Sequence, residues 1–79
     1  MEGNTIREES MMHEVYFVNI QTDSQKPSYT ESIWETYDDA VECIRLQGFT
    51  KVSDNLWELR SIFDGHIIRF ASISKQLLP

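Results

Sequence analysis

The chain has 79 residues, 41% of them hydrophobic, with a formal charge of −6 and a single cysteine, Cys43. That length suits one domain and buries roughly 60% of the unfolded surface. Nearly every large apolar side chain is then needed for one core, and few remain to line a substrate pocket of roughly 300 Å³ or more.

One cysteine cannot close an internal disulfide, and no apolar run approaches the roughly 20 residues that span a bilayer. The N-terminus also lacks the apolar stretch of a signal peptide, so the expected setting is cytoplasmic, away from membranes. Residues 1–12, with Glu2, Arg7, Glu8 and Glu9 and no apolar periodicity, read as a flexible leader; residues 13–79 read as a single α+β domain.

Glu14 to Gln21 alternates, with Tyr16, Val18 and Ile20 on one face and Val15 and Phe17 on the other, which predicts a strand. Thr22 to Ser28 carries turn chemistry. Tyr29 to Trp34 reads as the second strand of a hairpin. Thr36 is an N-cap with Asp39 three positions later, and Tyr37, Ala40, Val41 and Ile44 form one apolar stripe. Gly48 is placed for a left-handed helix stop, with Phe49 set to touch Ile44. A helix over about 37–47 follows.

Leu56 to Phe63 and His66 to Ser74 flank Asp64-Gly65, a strong signal for a two-residue hairpin loop. That loop predicts Phe63 facing His66, Leu59 facing Phe70 and Arg60 facing Arg69, with Trp57, Leu59, Phe63, Ile68 and Phe70 on a core face. The other face is mixed: Glu58, Arg60 and Arg69 among Leu56, Ile62, Ile67 and Ile73. The resulting order is β-β-α-β-β, a four-stranded antiparallel sheet with one helix on one face and the second face uncovered.

Catalytic chemistry has little to work with. Cys43 lies mid-helix beside the apolar stripe, where a small thiol packs, and neither His13, next to the leader, nor His66, after the turn, has a catalytic context. Metal-ligand spacings and Gly-rich phosphate loops are missing, so neither metal nor cofactor is expected.

Charge is the stronger signal. Residues 1–42 hold ten acids and two bases, whereas residues 43–79 hold three acids and five bases. The acidic front half argues against direct nucleic-acid binding. Glu31, Glu35, Asp38, Asp39 and Glu42 fall within twelve residues without a base among them, and Leu46 projects on the same outer side of the helix. Asp38 and Glu42 repel each other at i,i+4, so helix stability alone does not call for them.

Such an acidic rim around one leucine suits the basic surface of a larger protein or nucleoprotein complex. The expectation is a non-enzymatic inhibitor or modulator acting through that face. The alternative is a structural or regulatory module, such as a homodimer, assembling through the open sheet face with Arg60, Ile67, Arg69 and Ile73 at the contact. In kind (short, acidic, one domain, no catalytic signature) the chain resembles small inhibitors and accessory proteins of phages and other mobile elements. Some of those present carboxylates where phosphates would lie. No functional residue is carried over from that likeness.

Overall fold

The computed structural model describes residues 13–22 and 25–79; the leader expected at 1–12 lies outside them. Five strands, β1 (His13–Gln21), β2 (Tyr29–Trp34), β3 (Thr50–Ser53), β4 (Leu56–Arg60) and β5 (Ile67–Leu78), form one antiparallel sheet in the order β2-β1-β5-β4-β3. One helix, α1 (Tyr37–Leu46), connects β2 to β3, the two edges, and therefore crosses the whole width of the sheet.

The helix begins and ends as its residues dictate. Thr36 is extended (φ −127°, ψ 152°), and its hydroxyl accepts from the Asp39 amide at 3.1 Å. Asp38 and Asp39 occupy the first turn, where the dipole favours acids, and Arg45 the last, where it favours a base. Gly48, at φ +94°, donates its amide to the Arg45 carbonyl at 3.0 Å, and Phe49 donates to the Ile44 carbonyl at 3.4 Å. This pair of bonds closes the helix end, with Phe49 buried against the core.

Ala40 and Ile44 press into the sheet and meet Val18 and Ile20 of β1, Trp57 of β4, and Ala71 and Ile73 of β5. Tyr16, Trp34, Val41 and Leu59 seal the rim. Trp34, half-buried at that rim, donates its indole N–H to the Ser32 hydroxyl at 2.8 Å. Lys51, on the edge strand β3, sits 5.7 Å above the Trp57 ring, a cation–π lid over the largest core side chain.

The sheet departs from the sequence reading in three places. It has five strands rather than four, because Thr50–Ser53 pairs with β4. Its single large apolar residue, Val52, leaves no alternation to detect. His13 belongs to β1, opposite Leu78 at the end of the sheet.

Asp64-Gly65 does not form a two-residue loop. β4 stops at Arg60, and residues 61–66 make a longer connection. The reason is register. A two-residue loop pairs Trp57 with Ser72, and a one-residue slip turns a strand's side chains to the opposite face. In the structure Trp57 pairs with Ala71, Glu58 with Phe70 and Leu59 with Arg69, which puts Trp57 under the helix. Arg60 pairs with Ile67 after a bulge, so the expected Arg60–Arg69 pairing is absent. Ile62 and Phe63, expected on the mixed and the core face, are each 92% exposed, and Ile73 is a core residue at 7% exposure.

Asn55 ties the β3–β4 turn to the centre of the sheet. It has φ +55°, donates its side-chain amide to the Ile73 carbonyl at 2.8 Å, and accepts from the Ile73 amide at 2.7 Å. Asn55→Ala loses both partly buried bonds and strains a left-handed position, which predicts a loss of about 2–3 kcal/mol in urea denaturation. Asn55→Gly relieves the strain but not the lost bonds, and is expected to recover about 1 kcal/mol of that.

Candidate interaction site

The outer side of α1 gathers most of the predicted contact residues. Asp38, Asp39, Glu42 and Leu46 are all exposed, and Leu46, at 72%, lies between Asp39 and Glu42 on the helix circumference. Glu35 precedes the cap and is also exposed. The apolar stripe turns inward, so the exposure of Leu46 follows from its place on the helix.

Two of the acids are engaged locally. Glu42 receives a two-pronged contact from Arg45, one turn on, with Nε at 2.9 Å from Oε2 and Nη2 against Oε1. Hydrogen bonding to that guanidinium holds the Glu42 carboxyl below its usual value of 4.5. A carboxyl depressed in this way favours the native state above its unfolded value, and the contribution fades as pH falls through the folded one. Glu31, on β2, accepts from the Gln47 side chain at 2.7 Å and pins the helix end to the sheet edge. The field of the face therefore comes chiefly from Glu35, Asp38 and Asp39.

Charge is segregated along the strands. Gln21 pairs with Phe70 at one end of the sheet, and His13 with Leu78 at the other. Glu14, Tyr16 and the N-terminus of α1 share the second end, where Tyr16 and Tyr37 meet edge to face at 5.9 Å. Glu14, Asp38 and Asp39 lie there against one lysine, Lys75, which pairs with Glu14 at 3.2 Å.

The alternative contact set is not brought together. Ile73 is in the core, and Arg69 shares its strand parity and that of Ala71. Arg60 instead reaches Glu58 Oε1 at 3.0 Å and the Gly65 carbonyl at 2.7 Å. Ile67 is half-buried at the bulge.

The face opposite α1 has a polar centre, where Thr30 donates to Asn19 at 3.1 Å and Asn19 to Ser74 at 2.9 Å. Near its β3–β4 edge is a hollow of about 360 Å³ lined by Gly48, Thr50, Val52, Glu58 and Arg60. Periodicity gave no sign of it, because one wall is the strand that lacks alternation.

Cys43 is half-buried on α1, with its sulfur 3.7 Å from the Ser32 hydroxyl and 3.3 Å from the Gln47 side-chain nitrogen. His13 and His66 lie towards opposite ends of the sheet. Among the described residues no group of three His, Cys, Asp or Glu side chains could hold a metal ion, and no helix is long and apolar enough to cross a membrane. No family model, curated protein or solved structure matches the chain.

The two leucine-like positions of the helix separate surface from core. Leu46→Ala is expected to shift stability by less than about 0.5 kcal/mol, whereas Ile44→Ala, fully buried, is expected to cost about 2–5 kcal/mol in the same urea titration.

Proposed function

We propose that this protein is a non-enzymatic binding module that inhibits or modulates a larger protein or nucleoprotein partner with a basic surface, through the outer face of α1. The observation that supports it is Leu46, 72% exposed on a capped and rigid helix and flanked by Asp39 and Glu42. An apolar anchor inside a charged rim is how compact contacts combine desolvated burial with electrostatic steering. Asp38 and Asp39 also stabilise the helix N-terminus. A test must therefore remove the field without reversing the charge there.

The self-assembly alternative in its original residue set loses support, since Ile73 is covered by the helix and Arg60 is held by Glu58 and Gly65.

The experiment is affinity capture from source-cell lysate with the full chain, run beside an Asp38→Asn, Asp39→Asn, Leu46→Ser variant. The expected result is a partner whose recovery falls at least about tenfold with the variant and weakens as salt is raised, as screening of exposed charges requires. Equal recovery by both chains, or no partner for either, overturns the proposal. A far-ultraviolet circular-dichroism spectrum of the triple variant that matches the parent's checks that the helix is intact.

A further inference from the structure

The connection between β4 and β5 projects two adjacent apolar side chains into solvent. Ile62 and Phe63 are each 92% exposed, far more than any other large hydrophobic side chain among the described residues except Leu46. The segment that carries them is tied by hydrogen bonds. Ser61 donates its amide to the His66 carbonyl at 2.8 Å, and Gly65 donates to the Ser61 carbonyl at 3.0 Å. The Ser61 hydroxyl accepts from the Phe63 amide at 3.1 Å, and the Asp64 carboxylate from the His66 amide at 3.0 Å. Arg60 clamps the base through the Gly65 carbonyl at 2.7 Å. A backbone tied this way leaves chiefly the two side chains to be ordered on docking.

The same edge of the molecule carries a receptacle. The hollow of about 360 Å³ is walled by Thr50 and Val52 of β3 and by Glu58 and Arg60 of β4, with Gly48 at its margin. The hollow is open to solvent and mixed in character: Val52 is its one large apolar lining side chain, and with the aliphatic stem of Arg60 it offers an apolar ring a contact surface. Arg60 belongs to both features: it lines the hollow and braces the prong. The prong does not fill its own hollow, as its exposure shows.

We propose that the occupant of the hollow is the Ile62–Phe63 prong of a second copy of this chain, in a two-fold arrangement where each copy gives a prong and receives one.

Three observations favour a second copy. The prong alone offers roughly 300–400 Å² to a partner, well under the roughly 800 Å² per side of a stable protein contact; reciprocal engagement about doubles it and reaches that range. Glu58 beside the hollow is paired with Arg60, so like surfaces can meet there despite the net charge of −6. Asp38 and Asp39 lie toward the other end of the sheet, several Debye lengths of about 8 Å away along strands that rise about 3.3 Å per residue. Prong and hollow also share Arg60, so a two-fold axis beside it would set each prong against the other copy's hollow in a contact that closes as a dimer.

The test is sedimentation velocity on the full chain from about 1 to about 300 μM, in parallel with Phe63→Asp, which removes the prong, and Val52→Arg, which fills the hollow. Both positions are exposed, and far-ultraviolet circular dichroism checks that each variant keeps the fold. The expected result is a concentration-dependent dimer whose dissociation constant rises at least tenfold in each variant. A monomer across the whole range, or a dimer that both variants retain, overturns the proposal. A dimer lost in Phe63→Asp but unchanged in Val52→Arg overturns the hollow as its socket. None of these outcomes depends on the acidic face of α1, so this proposal and that one fail separately.

Discussion

Among the described residues a single ten-residue helix packs on one side of this sheet, and its demand on the apolar side chains beneath it sets the phase of the strands. Val18, Ile20, Trp57, Ala71 and Ile73 must all point the same way to meet Ala40 and Ile44. A slip of one residue in any ladder turns these apolar side chains away from the helix. The register shifts at Val18/Asn19, Lys51/Ser53 and Leu59/Arg60 are the local adjustments by which five strands of different length keep that common phase. The long 61–66 connection has the same origin: it supplies the residues needed to bring Trp57 opposite Ala71.

Much of this was legible in the chain because it is local. The alternation around Val18 and Ile20, the Thr36 cap, the stripe through Ala40 and Ile44, and the Gly48 stop are each decided by a few neighbouring residues, and each agrees with the structure. What escaped was non-local. Thr50–Ser53 is a strand because β4 offers it a partner, not because of its own pattern. Asp64-Gly65 carries a sound hairpin signal that yields to the helix's demand on Trp57, while Ser61 and Asp64 satisfy the loop's amides with their own side chains.

The candidate surfaces divide in the same way. The acidic side of α1 follows from helical geometry, and the positions named for it are the exposed ones. Its internal compensation was not visible: the Glu42–Arg45 pair is readable from spacing, but the Glu31–Gln47 bond needs the helix end laid against β2. The sheet-face set was misplaced because one assumed register carried all four residues. Ile62 and Phe63, assigned by that register to the two faces of the sheet, lie side by side on its end.

The ladder between β1 and β5 has a kinetic side. It joins His13 to Leu78 and Gln21 to Phe70, residues 65 and 49 positions apart, and it forms the middle of the sheet. The β1–β2 hairpin, the helix and the β3–β4–β5 meander can each begin to form from nearby residues, but none has a finished core until these distant segments meet. Loop-closure entropy of that size is met before the contacts reward it, which places folding in the slower class of mixed α/β domains. Before closure the chain holds two partial sheets, each with one flank of the future centre unpaired and Val18, Ile20 and Ala71 uncovered. That interval is where the protein is most vulnerable to strand addition from another chain, and where crowded expression would lose it to aggregation.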